Sequence, residues 1–228
     1  MKSERRIFWR ATIPFIGSVI GVGIFGIPYV FAQAGFGIGL LHLLLIGAVN
    51  LVILLIYADI VMNTKGHHRI SGIVERYAGP WWGHVASLLL FAASWGAMVA
   101  YVIIGGEFLQ TIFSFWLDWS LISWQILFFA VSAILLIGGL GFIARLEVVF
   151  VIGLLALLLV ILLAGIPHAE ISELVVNDVS MWFLPFGVVL FAFGGMAALP
   201  EMADVLGRKK SLLRKAIMTG VVIVSIVY

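Results

Sequence analysis

The sequence has no cysteine, so disulfides, thiolate nucleophiles and cysteine metal sites are excluded. Charge is almost as scarce: Asp, Glu, Lys and Arg make up 11% of the 228 residues, against about 25% in a soluble domain. A net charge of +2 gives no reason to expect a polyanion, and the composition excludes a nucleic-acid partner. Catalytic signatures are missing as well. There is no His-Glu-x-x-His, no Gly-x-Ser-x-Gly and no phosphate-binding loop, and no His, Asp or Glu cluster near one end of an apolar stretch. The chain does not read as an enzyme, and no residue pattern asks for a cofactor or a metal. The adjacent His67 and His68 would point about 100° apart on a helix and could not share one ion well.

What is present is apolar. Hydrophobic residues make up 64% of the chain and the mean hydropathy is +1.23, more than a water-soluble globule of this size can bury. The lipid bilayer is therefore the expected solvent. A helical span needs about 20 mostly apolar residues. Six stretches qualify, at 11–31, 38–61, 85–115, 121–140, 148–166 and 182–199. A seventh, 216–228, would rise only about 20 Å, so the sequence reads as the N-terminal part of a longer protein.

Lysine and arginine set the expected orientation. With residues 1–10 in the cytoplasm, all 13 basic residues fall on the inner side, and the outer loops carry Asp118, Glu170, Glu173 and Asp178 instead. The expected location is the inner, cytoplasmic membrane. Between the second and third spans, 63–83 places Ile70, Ile73, Val74 and Tyr77 at helical spacing among charged residues. It reads as an amphipathic helix on the inner membrane face or as a solvated connector.

The unusual feature is glycine and proline inside two spans. The first has Pro14, then Gly21-Val22-Gly23 at its centre, then Gly26 and Pro28. The sixth has Pro185, then Gly194-Gly195, then Pro200-Glu201. Glycine costs about 1 kcal/mol in a helix interior, and proline removes a donor and disfavours helix at its predecessor. An unwound turn at mid-membrane is tolerated only where protein, a watery cavity or a ligand satisfies its backbone. The first and sixth spans run in opposite senses by the charge pattern. Such paired interruptions mark the binding site of an inverted-repeat transporter, here with a five-span unit at 11–166 and a second beginning at 167–228. Gly17, Gly47, Gly96 and Gly153 are instead expected to serve helix packing.

The run Gly17-Ser18-Val19-Ile20-Gly21-Val22-Gly23-Ile24-Phe25-Gly26-Ile27-Pro28 resembles the first-span signature of the amino acid–polyamine–organocation superfamily. Pro28, with Phe193-Gly194-Gly195 and Pro200-Glu201, is most similar to its amino acid/auxin permease branch, including bacterial aromatic amino acid permeases. The resemblance implies an all-α membrane protein of the leucine-transporter-type fold, of which this chain supplies the first five-helix repeat, span six and part of span seven. It also implies secondary active transport of amino acids, aromatic or other neutral ones. By that resemblance the substrate carboxylate meets the backbone at Gly21, Val22, Gly23 and Ile24, and Phe193, Gly194 and Gly195 face it with free carbonyls for the ammonium. Tyr101 is a candidate outer gate or a packing residue. Glu107 and Asp59 are candidate carriers of a coupling proton. Some proton-coupled members place a lysine in the fifth span, and 148–166 has none. A proton is favoured as the coupling ion, with sodium the other candidate. The opposing reading is a non-transporting membrane scaffold or subunit whose glycines only pack helices.

Overall fold

The computed structural model describes residues 2–21, 23–64, 66, 69–165, 167 and 177–228. Among them every regular element is helical: α1 (Lys2–Val19), α2 (Gly23–Ala34), α3 (Phe36–Asn63), α4 (Ile70–Ala78), α5 (Pro80–Phe113), α6 (Leu121–Ile137), α7 (Leu140–Gly165), α8 (Leu184–Ala192), α9 (Leu199–Leu206) and α10 (Leu213–Val227). Each expected span coincides with one or two of them. By length and composition α3, α5 and the stretch Leu184–Leu206 are sufficient to cross a membrane, and the bent pair α1 and α2 makes a fourth. The 17 residues of α6 rise only about 26 Å, a few ångströms short of the hydrocarbon thickness. Lys65, His67, His68 and the acidic residues Glu170 and Glu173 lie outside the described residues.

The helices fall into two compact units, residues 1–73 with 161–228, and residues 74–160. The first is built around the two interrupted spans. In α1 the buried residues Thr12, Phe15, Ile16 and Val19 recur at helical spacing and face α9 and α10. In α2 the buried stripe is Ile24, Ile27, Val30 and Ala34, facing α8 and α3. The long helix α3 backs both, presenting Leu43, Ile46, Gly47, Leu54, Ala58 and Val61 to α2, α8 and α10. The chain turns from α2 into α3 at Gly35, whose φ of +93° is one that side-chain-bearing residues rarely adopt. That turn is tied to the segment before α8. Ile38 N–H donates to Asn177 Oδ1 (3.0 Å), and Asp178 N–H donates to the Ala34 carbonyl (3.0 Å).

The second unit is led by a helical hairpin of α5 and α6. Gly105 and Gly106 on α5 remove the side chains that would hold the helices apart, and Phe128 and Gln125 of α6 fill the space. Ser120 caps α6 by accepting from Ser123 N–H, and Trp124 is buried with its ring stacked on Phe113. The amphipathic segment does form a helix, α4, with Ile73 buried and Tyr77 exposed.

Two prolines act differently from expectation. Pro28 lies inside α2 and does not end it: at the sixth position it forgoes one intrahelical bond, to the Ile24 carbonyl, and the helix continues to Ala34. Pro200 sits in the first turn of α9, the position that proline favours, so it opens that half-helix. Of the packing glycines, Gly47 lies against the Phe193 ring, whereas an added Cβ at Gly96 or Gly153 meets nothing within 4 Å.

Candidate functional site

The first span breaks where its sequence is richest in glycine. α1 stops at Val19 and α2 resumes at Gly23 with the axis bent by 54°. At the break Gly21 N–H donates to the Val19 carbonyl (2.8 Å), and Ile24 N–H donates to the Gly21 carbonyl (3.2 Å). Two of the four expected carboxylate donors thus have partners inside the break. Val22 lies outside the described residues, and Gly23 and Ile24 are buried.

The sixth span breaks in the same manner. α8 ends at Ala192, the backbone leaves the helix through Phe193, Gly194 and Gly195, and a short 3₁₀ turn (Met196–Ala198) leads into α9. Its carbonyls are capped one by one. Gly194 N–H donates to Phe191 O (3.1 Å), the Tyr228 hydroxyl lies 2.8 Å from Ala192 O, and Asn50 Nδ2 donates to Phe193 O (2.7 Å). Tyr228 Oη also lies 2.8 Å from Val19 O, the last carbonyl of α1. Every buried carbonyl at a helix end needs such a partner.

The two breaks dock on each other. A Cβ built on Gly23 would stand 2.7 Å from Ala192 Cα, and one on Gly195 would stand 2.7 Å from Val19 Cγ2 and 2.9 Å from the Phe15 ring. The first residue of α2 therefore touches the last residue of α8, and Gly195 touches the last residue of α1. Phe193 is buried, its ring between Gly47 and Tyr228. Gly194 alone of the sixth-span group is exposed. The structure thus brings Gly23 against the end of α8 and Gly195 against the end of α1, with Gly21 and Ile24 on one side of that contact and Phe193 and Gly194 on the other as their neighbours in the chain.

Tyr101 and Glu107 belong to the other unit, both exposed on α5. The Glu107 carbonyl accepts from the Thr111 hydroxyl (2.8 Å). Asp59, near the end of α3, is held by Arg214 at the start of α10, with Arg214 Nε donating to Asp59 Oδ1 at 2.8 Å and Nη2 donating to Oδ2. Lys209 Nζ pairs with Glu4 Oε1 at 2.8 Å. Among the described residues no group of three or more His, Asp or Glu could hold a metal ion.

Asn50 and Tyr228 are the site residues that reading the sequence missed. A lone amide in the middle of an apolar span is a signal, since such a polar group must find a partner. Tyr228 carries none: nothing in the apolar run that holds it marks its hydroxyl for a partner.

The model of a tryptophan/tyrosine permease family matches residues 4–228. Among curated proteins, the chain is 25% identical to "Glutamine transporter 2" of Aliivibrio fischeri over 98% of its own length and 58% of the relative's. It is 23% identical to "Tyrosine-specific transport system 1" of Haemophilus influenzae over 92% of its own length and 52% of the relative's. It is 36% identical to "Putative sodium-coupled neutral amino acid transporter 11" of Danio rerio, over 45% of its own length and 23% of the relative's. The chain spans about half the length of the two bacterial relatives. No solved structure matches.

Proposed function

The chain belongs to the tryptophan/tyrosine permease family, and from that premise we propose that it carries the substrate site of a secondary active amino acid transporter. It is a multi-pass membrane protein, and its family and relatives are transporters, not enzymes. The observation that carries the reading is the docking of the two breaks. Gly23 begins α2, so its end of the helix carries positive dipole, which favours a carboxylate. Ala192 and Val19 end α8 and α1, so their carbonyls present negative dipole, which favours an ammonium. Helix ends of both signs lie in direct contact at one place. A zwitterionic amino acid matches both.

The substrates of this reading are aromatic or other neutral amino acids, and the fold is the leucine-transporter-type inverted repeat with the breaks in corresponding spans. The protein lies in the cytoplasmic membrane with its N-terminus inside. The coupling ion is a proton carried by Glu107 or Asp59, with Tyr101 as outer gate. Sodium is the other outcome: an imposed sodium gradient that drives uptake where a pH gradient does not replaces the proton.

Binding is tested by melting the purified protein in detergent with tryptophan, tyrosine or glutamine. A ligand at 100 times its Kd adds about 2.7 kcal/mol to a folded state that alone binds it. At least one amino acid should raise the melting temperature, and its des-amino and decarboxylated analogues should not. If no amino acid does so, the protein is a scaffold or subunit whose glycines only pack helices.

A further inference from the structure

Two carbonyls, one from each broken span, converge on a single hydroxyl. Tyr228 Oη is 2.8 Å from Val19 O and 2.8 Å from Ala192 O, although these residues stand 209 and 36 positions away in the chain. The ring is held edge-on against Phe193, with centroids 5.6 Å apart and planes at 76°. Phe193 is fixed in turn by Gly47 beneath its ring and by Asn50 on its carbonyl. Tyr228 is thus placed from several sides.

A phenol has one proton to donate. It can therefore give a full hydrogen bond to only one of the two carbonyls at a time. Both carbonyls end a half-helix and carry the negative end of its dipole. Val19 O also takes the Gly21 N–H from within the break, but the two carbonyls share the one phenol proton, and the place is rich in negative partial charge. A primary ammonium, with three N–H donors and a positive charge, fits it better than the hydroxyl does.

Resting on the transport reading above, we propose that Tyr228 is a positioning residue that holds this place in the empty protein and yields it to the substrate's ammonium. The hydroxyl and the ammonium compete for Val19 O and Ala192 O. In the empty protein the hydroxyl keeps the ends of α1 and α8 joined. On binding, the ammonium takes over both carbonyls and releases Tyr228, so the link between the two breaks passes from the protein to the substrate.

Competition fixes the sign of a mutational effect. Tyr228→Phe keeps the ring and its contact with Phe193 and removes only the hydroxyl. The empty protein then leaves Ala192 O without this donor and Val19 O with Gly21 N–H alone, while the occupied protein has lost nothing. The variant should melt at a lower temperature and yet bind more tightly, with Kd lowered about three- to tenfold for whichever of tryptophan, tyrosine and glutamine stabilises the wild type. A brace needed in both states would give the opposite, so an unchanged or raised Kd overturns the proposal. Should no amino acid bind the wild type, the transport reading fails first and the proposal with it.

A second measurement does not depend on the variant folding. With 3-fluorotyrosine at position 228, the fluorine resonance should move when that amino acid is added and stay in place with its des-amino acid at the same concentration. No movement with the amino acid, or equal movement with both, overturns the proposal.

Discussion

At Gly23 a methyl group would sit 2.7 Å from Ala192 Cα and 2.8 Å from its Cβ. Neither neighbour is the tip of a flexible side chain, so the methyl has to push α2 away from α8. Overpacking of this kind costs about 1–3 kcal/mol. Gly96 is the opposite case: it lies within α5 and an added Cβ meets nothing within 4 Å. There alanine removes only glycine's conformational cost, a gain of up to about 1 kcal/mol. Gly23→Ala should therefore melt several degrees below the wild type and Gly96→Ala at or slightly above it, by scanning fluorimetry in one detergent. If the two variants melt together, the breaks are not in contact. The contrast also bears on substrate assignments. A bulky residue at Gly23 abolishes activity by separating the spans whether or not the substrate touches that position. Loss of uptake there is no proof of a binding role.

At the scale of the element, each broken span depends on donors from other helices. Asn50 donates across from α3 to Phe193 O, 143 residues away, and Tyr228 at the end of α10 serves Ala192 O. Asn50→Leu leaves the Phe193 carbonyl without that donor, at a cost of about 1–3 kcal/mol. Asn63, on the same helix, is exposed and bonds only the Asp59 carbonyl one turn back, so Asn63→Leu should stay within about 0.5 kcal/mol. The expected order of melting temperatures is wild type and Asn63→Leu together, with Asn50→Leu well below, and an Asn50→Leu protein as stable as the wild type would show that the cap contributes nothing. Glycine and apolar run length act locally, so the helices and the position of both breaks were legible in the sequence. Proline is less legible: Pro28 and Pro200 both follow the central glycines, yet one lies within a half-helix and the other starts one. The capping donors were not legible, because a partner 143 residues distant leaves no periodic trace. The repeated glycine and proline interruptions and the charge pattern supplied the pairing of the breaks, but not that Phe15, Val19 and Ala192 fill the space beside their glycines.

At the scale of the whole molecule, the residues that meet at the breaks all belong to the unit formed by 1–73 and 161–228, while Tyr101 and Glu107 belong to 74–160. Ion pairs are a minor part of what holds the first unit. Lys209–Glu4 and Arg214–Asp59 are largely exposed, and such pairs contribute about 0–1 kcal/mol. Packing of α1, α2, α3, α8, α9 and α10 carries the rest. The second unit rests on a different contact. A Cβ at Gly106 would run into Gln125 Cγ and lie 2.9 Å from Gln125 Cα, so a branched side chain there must part α5 from α6. Because locally packed segments open as cooperative units, damage at this contact should stay within its own unit. Gly106→Val should therefore speed amide hydrogen exchange through α5 and α6, read peptide by peptide by mass spectrometry, while α1, α8 and α9 keep wild-type protection. An amino acid that protects the two breaks in the wild type should protect them equally in the variant, since no residue assigned to its zwitterionic group lies in the damaged unit. Loss of protection across both units at once would mean that they open as one body, and that the site at the breaks relies on the α5–α6 hairpin.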